Sequence, residues 1–437
     1  MKKINLTIIS FIFLFTTISY SQIWTEQVSN VTTPLTSVSS GDGNSAWVCG
    51  NSGTVLRTTN SGINWLNVSG NGIPSTVSLI NIFGIDANTA LVAGYITTTT
   101  YVYRTSNAGA TWTQVFTQTG GGFIDAMWMR TNLLGFMVGD PVGSRWALFK
   151  TTNGGVTWDS TGMYLPQAGS ETGYNNSLCY LTPRIWFGTN NTRIYYSSND
   201  GASWVSRSTA PEVNSYAVYF CQAWGGNTGL LGGATLMLSN DTGATWTTST
   251  SAGTGNFSGF TGYGVPVDWT QAFQQGKYAR SSTGIYSSLF TPNSWNVEYN
   301  APAGNYQHFA EARNSTVSWG VRSNGGITRC TCPISGISNI SGEIPKSYNL
   351  QQNYPNPFNP STNIEFSIPG MSNVKLVIYN SLGQMVTQLV DETLSSGKYL
   401  VNWDSKDMAS GIYFYSLLAT ENDGLKYVET KKMALVK

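Results

Sequence analysis

Charge is scarce in this chain: 10% of its 437 residues are Asp, Glu, Lys or Arg, and 23 cations against 22 anions leave a formal net charge of +1. Between Gln22 and Cys330 there are 13 residues of each sign, so no concentrated positive surface is available for a phosphate backbone and nucleic acid is not an expected partner. Eleven of those thirteen cations are Arg, which leaves local anion pockets open. Histidine is nearly absent. His308 is the single one, which excludes a multi-His metal site, and its neighbours Gln307, Phe309 and Ala310 supply no nucleophile for a Ser-His-Asp or Cys-His arrangement. With no Gly-rich phosphate loop after a strand either, neither metal nor cofactor is expected.

Cysteine is sparse and odd in number: Cys49, Cys179, Cys221, Cys330 and Cys332 cannot all pair, and their spacing matches no zinc ribbon or finger. The first three sit in apolar, strand-like runs and read as buried thiols. Cys330 and Cys332 flank one residue, where a disulfide would tie down the end of the repeats described below. Long apolar runs are missing beyond the N-terminus. There, Lys2 and Lys3 precede the stretch Ile4 to Ile18, and small residues at Ser19 and Ser21 follow, the order of a secretory signal cleaved after Ser21. A membrane anchor is the weaker reading, because Asn5, Thr7 and Ser10 interrupt a run already short for a bilayer. No span is expected in the mature chain.

What is abundant is glycine, 47 residues, with Ser, Thr and Asn, a composition suited to many turns in an all-β protein. One pattern organises it. A Thr or Ser is followed two residues later by Asn or Asp, two later by Gly and three later by Trp, at Thr58-Asn60-Gly62-Trp65, Thr105-Asn107-Gly109-Trp112, Thr151-Asn153-Gly155-Trp158, Ser197-Asn199-Gly201-Trp204 and Ser239-Asp241-Gly243-Trp246. The period of these tryptophans is that of four-stranded blades around an axis. Within each box the Asn or Asp side chain can satisfy turn N–H groups, Gly takes a positive φ, the hydroxyl ties the flank, and the Trp packs into the seam, so the boxes read as structural hairpin locks.

Flanking matches extend the count. Ile285-Tyr286-Ser287-Ser288 before Trp295 matches Ile194 to Ser198 before Trp204, and Trp24-Thr25-Glu26-Gln27-Val28 matches the run after Trp112. Near the C-terminal end of the repeats, Trp319-Gly320-Val321 matches Trp47-Val48-Cys49, but no closing Trp follows. The strand missing there is present at Trp24, so the expected fold is an all-β, seven-bladed β-propeller with an N-terminal strand closing the last blade, followed by a small antiparallel β-sandwich. The expected divisions are a signal over 1–21, a propeller over 22–330, a linker over 331–347 and a terminal domain over 348–437.

The boxes resemble the Asp-box repeat of sialidases and related propellers, and stretches such as Lys150-Thr151-Thr152-Asn153-Gly154-Gly155-Val156-Thr157-Trp158 look most like the photosystem II stability and assembly factor-like repeats. In the wider group the boxes lie at the rim, away from the ligand face. The terminal stretch, with Asn353-Tyr354-Pro355-Asn356-Pro357-Phe358-Asn359-Pro360, Val377-Ile378-Tyr379-Asn380-Ser381-Leu382-Gly383-Gln384 and the ending Lys431-Lys432-Met433-Ala434-Leu435-Val436-Lys437, closely resembles the type A C-terminal sorting domain of the type IX secretion system. That resemblance implies the type IX machinery as partner of residues 348–437 and a secreted or outer-cell-surface location reached through the periplasm.

Chemistry is faint by comparison. The Arg-Ile-Pro stretch common near the start of sialidases is missing, and Arg57, Arg104 and Lys150 recur before the boxes as part of the repeat. Candidate carboxylates outside the boxes are Asp125, Asp140, Glu171, Glu212, Asp268 and Glu311, and nothing in sequence pairs two of them, so no catalytic residue is assigned. Four tryptophans, Trp128, Trp146, Trp224 and Trp269, have no repeat explanation and are the candidate ligand contacts for a glycan or an extracellular protein; core packing is their bland alternative. The expectation is thus a non-enzymatic exported propeller presenting a binding face. The alternative is an extracellular glycoside hydrolase with paired carboxylates in the propeller mouth.

Overall fold

The computed structural model describes residues 23–220, 227–263, 275–289, 295–313, 317–331, 337–341, 345–370, 372–394, 397–405, 408–421 and 426–437. Every element among them is a β-strand, and the described residues divide into two compact units, the first beginning at Ile23 and the second ending at Lys437, with the division between residues 331 and 337.

In the first unit seven antiparallel sheets follow one another along the chain. Their inner strands are Leu35–Ser40, Ser78–Gly84, Ile124–Met129, Gly173–Leu181, Ala217–Phe220, Phe257–Tyr263 and Tyr306–Glu311. Each inner strand touches that of the next sheet, and the seventh touches the first, so the series closes into a ring. The seventh sheet is completed from the other end of the sequence: Ile23–Gln27 pairs antiparallel with Ile327–Thr331, Trp24 opposite Cys330. The N-terminal strand therefore closes the ring as the missing outer strand implied. Six sheets have four strands and the third has three, its edge extended by isolated bridges from Arg145 to Pro166 and from Lys150 to Asp159.

The repeated turns show why this sequence makes hairpins at this period. Thr58 Oγ1 donates to Asn60 Oδ1 and accepts the Gly62 N–H, each at 3.0 Å, while Asn60 Oδ1 accepts the Asn64 N–H at 3.0 Å. The same three bonds recur at Thr105, Thr151, Ser197 and Ser239 with their partners. Gly62 needs its glycine twice over: its φ is +81°, and a Cβ there would fall 2.3 Å from Gln27 Oε1. Trp65 then packs edge-on against Trp319 of the seventh sheet at 5.6 Å, a contact worth about 0.5–1.5 kcal/mol beyond the area it buries. Trp47, Trp186 and Trp319 lie on the second strands and are fully buried.

The second unit is a sandwich of two four-stranded sheets around Ile364, Phe366, Leu376, Ile378, Tyr415, Leu417 and Met433. One finding corrects the expected linker over 331–347. Ile337–Ser341 is a strand of this sandwich, paired with Gly397–Asp404, Ile337 opposite Val401. Its Ser- and Gly-rich composition hides it, because the partner that makes it a strand lies sixty residues away. Cys49, Cys179 and Cys330 are buried, whereas Cys221, Cys332 and the expected signal segment lie outside the described residues.

Candidate functional site: the axial cavity

The seven inner strands surround a cavity of about 640 Å³. Its floor is built by an irregularity in the fourth sheet. Between the pairs Gly173 with Thr189 and Leu178 with Phe187 the register shifts, and Asn176 takes a left-handed φ of +65°, a conformation Asn tolerates better than most side chains. Asn176 Oδ1 thereby accepts hydrogen bonds from Ser37 Oγ at 2.8 Å and Asn81 Nδ2 at 2.7 Å, and its Nδ2 donates to the Thr36 carbonyl at 3.3 Å. One side chain of the fourth sheet thus ties the first and second together across the axis.

His308, on the seventh sheet, stands beside this floor. The Val38 N–H donates to its Nδ1 at 3.1 Å, and Ser37 Oγ lies 3.4 Å from the same atom. A backbone N–H can only donate, so Nδ1 accepts and the proton of the neutral ring sits on Nε2. Burial holds the ring's pKa down at about 4, which keeps it neutral at ordinary pH.

Above the floor the wall is apolar and aromatic, with Trp128 against Phe83 at 5.5 Å and Phe260 and Phe309 from the sixth and seventh sheets. Those two sheets approach closely at Gly259, where a Cβ would meet the Phe309 carbonyl oxygen at 2.0 Å. Beyond the carboxyl ends of the inner strands the rim becomes charged. Arg313 bonds Ser39 Oγ at 3.0 Å and the Gly84 carbonyl and lies 4.2 Å over the Phe83 ring; burial pushes its guanidinium down to about 10, Asp42 offsetting part of this. Arg130 pairs with Asp200 at 3.1 Å, and Tyr180 donates to the other oxygen of that carboxylate at 2.6 Å. Asp200 belongs to the fourth repeated turn. The rim thus lies at the turn-bearing end, because first and third strands of an antiparallel sheet finish on the same side.

The four candidate tryptophans separate. Trp128 lines the cavity. Trp146 does not: it is fully buried among Phe187, Tyr195 and Leu148, with its indole N–H on Glu171 Oε1 at 3.0 Å, so as a ligand contact it is corrected to core packing. Trp224 and Trp269 lie outside the described residues. Asn176, His308 and Arg313 were not assigned as site residues from sequence, and only the Asn175-Asn176 pair within a strand-like run hinted at a positive-φ irregularity.

The carboxylates separate as well. Glu171 accepts from Trp146, Tyr195 and the Ala168 N–H, and Glu212 from Thr235 and the Val213 and Asn214 N–H groups, so both hold loops in place. Glu311 lines the cavity, and Asp268 is outside the described residues. Asp125 and Asp140 come together at Gly173, whose N–H donates to Asp140 Oδ1 at 2.7 Å and whose added Cβ would lie 2.3 Å from Asp125 Oδ2. Asp125 is only 5% exposed, its Oδ2 buried without a hydrogen-bond partner among the described residues, so a substrate has no path to both carboxyls.

Burial, and next the charge of Asp140, hold the Asp125 carboxyl well above its usual range. A raised folded pKa stabilises the protein below the unfolded value and loses that contribution as pH rises through the folded one. Asp125→Asn, which keeps the shape without the titration, is therefore expected to melt higher than the parent at pH 8 and to show a flatter dependence of melting temperature on pH above 5. Parallel melting curves for the two proteins would refute this.

Residues 17–264 match the family model described as Photosynthesis system II assembly factor YCF48, and residues 352–432 match the Secretion system C-terminal sorting domain. Among solved structures, YCF48 from Cyanidioschyzon merolae aligns with a TM-score of 0.55 at 14% identity, covering 70% of this chain and 98% of that one. A structure described as YCF48 bound to D1 peptide aligns at 0.55 and 13% identity, covering 72% and 98%. At such identities these likenesses speak for the fold, an all-β propeller. No curated protein matches the chain.

Proposed function

We propose a binding role for this chain, which belongs to the Photosynthesis system II assembly factor YCF48 family. Its C-terminal sorting domain directs it to the cell surface or the medium by way of the type IX machinery. The propeller is there a non-enzymatic capture module, and its axial cavity takes a segment of an extracellular protein. The observation that carries this reading is the cavity itself: seven inner strands enclose a bore floored by Asn176 and walled by Phe83, Trp128, Phe260 and Phe309. A few placed polar groups in a mostly apolar concavity suit a side chain or chain end entering lengthwise. A polysaccharide, with hydroxyls around every ring, would need many more polar partners than this wall offers. The YCF48 structure described as bound to D1 peptide holds a peptide, which accords with the same reading.

The alternative, a glycoside hydrolase, draws its support from the meeting of Asp125 and Asp140. Burial of Asp125 weighs against it. The deciding experiment presents the full exported protein to a displayed peptide library and to a glycan array, scoring retention and cleavage products. Peptide retention is expected, and Trp128→Ala should weaken it by ~2 kcal/mol, roughly 30-fold, as for a central aromatic contact. Retention on glycans with Trp128→Ala unaffected, or the release of sugar products, would overturn the proposal.

A further inference from the structure

We infer that His308 is the specificity-determining donor of the axial cavity, selecting ligands whose leading apolar group ends in an oxygen acceptor. The inference rests on the binding role proposed above and names the chemistry that the cavity floor accepts. Both polar contacts of the imidazole among the described residues fall on Nδ1: the Val38 N–H donates to it, and Ser37 Oγ, whose own hydrogen goes to Asn176, lies 3.4 Å away. Nδ1 is therefore committed, and Nε2–H is the remaining donor of a ring that lines the cavity.

The other polar atoms of the floor are already engaged. Asn176 Oδ1 takes two donors, its amide gives one N–H to the Thr36 carbonyl, the Asn81 amide gives one N–H to Asn176, and Asn81 Oδ1 accepts the Met127 N–H at 3.0 Å. Ser37 Oγ donates to Asn176 and accepts the Ile82 N–H at 3.3 Å. An apolar group that descends past Trp128 and Phe83 thus reaches a floor where Asn176, Asn81 and Ser37 each already hold partners, while His308 Nε2–H holds none among the described residues. A ligand tipped by carbonyl, phenol or carboxylate oxygen satisfies it, whereas a hydrocarbon tip strands it away from water, and a buried donor left unmet is penalised. Sites built to hydrogen-bond a ligand reject the analogue that lacks the bonding atom more strongly than apolar sites distinguish shapes.

Because His308 is the only histidine, its imidazole nitrogens give isolated NMR signals in the full chain. The test titrates the protein with four probes sharing a ring, namely toluene, p-cresol, benzamide and benzoate, and reads both affinity and the His308 nitrogen shifts. Expected are an Nε2–H tautomer without probe, a shift of that N–H by the three oxygen-bearing probes, and about tenfold weaker binding of toluene, the value of one well-formed hydrogen bond. His308→Phe should erase the preference while still binding toluene, and His308→Gln, which restores a side-chain N–H, should recover part of it. Equal binding of toluene and p-cresol, or an Nδ1–H tautomer, would overturn the inference. These readouts need no protein partner, so failure of the peptide-capture role with a persisting oxygen preference is distinguishable from failure of His308 itself.

Discussion

Removal of the strand Ile23–Gln27 is expected to lower the melting temperature of the propeller by roughly 10 °C or more and to make it aggregate. The strand contributes three things at once. It covers the edge of Ile327–Thr331, which would otherwise present unpaired N–H and C=O groups for association. Trp24 stacks on Tyr299 at 5.4 Å and approaches Phe309 at 6.3 Å, with its indole N–H on Glu298 at 3.0 Å. Glu26 pairs with Arg322 and accepts from Thr328 at 2.7 Å and Tyr299 at 2.9 Å. Arg322 is 3% exposed, and stripping the partner from a buried charge costs about 3–5 kcal/mol; Glu26 is itself 32% exposed, which places the effect toward the lower end. At about 2–4 °C per kcal/mol for larger domains, the pair and the lost packing add up to the stated drop. Calorimetry of chains starting at Gln22 and at Val28 measures it, with Glu26→Gln expected in between. Equal melting temperatures would mean the ring closes without this strand.

The same strand illustrates what was legible in the sequence. Its role followed from counting, since the repeats lack one outer strand at one end and have one to spare at the other. The turns were legible because their chemistry is local: a hydroxyl, an Asn or Asp and a Gly within five residues fix each hairpin regardless of what packs around it. Trp146 was misread although its neighbours held the answer. It alternates with Leu148 on the strand Arg145–Thr151, and both are fully buried, so period-two reasoning would have placed it inside. Trp128 was legible only as unexplained, and its exposure to the cavity depends on where six other strands lie.

The contacts that make the floor could not have been read from sequence. Asn176 becomes a plug through Ser37 and Asn81, 139 and 95 residues away in sequence, and His308 acquires its tautomer from a backbone N–H across the ring's seam. Both are properties of the closed ring, and beyond the Asn175-Asn176 pair local sequence context carries no trace of them.

Export should depend on where the terminal unit is cut. Deleting 333–437 is expected to abolish release to the surface or medium, leaving the propeller inside the cell envelope, because the sorting domain is the part that the type IX machinery reads. The sharper expectation concerns grafts onto a periplasmic reporter. Residues 348–437 contain the whole recognisable motif, yet they omit Ile337–Ser341, which lines the outer edge of Gly397–Asp404. The strand on the other side of that sheet is only Asn349–Leu350. A graft starting at 348 would therefore expose most of one edge of the sheet, weakening a small sandwich that has little core to spare and inviting edge-to-edge association. A graft of 333–437 should be exported and should melt higher, whereas that of 348–437 should reach the outside in smaller amount and accumulate as aggregate. Equal export and equal melting of the two grafts would show that the strand is dispensable and that the earlier boundary is the working one.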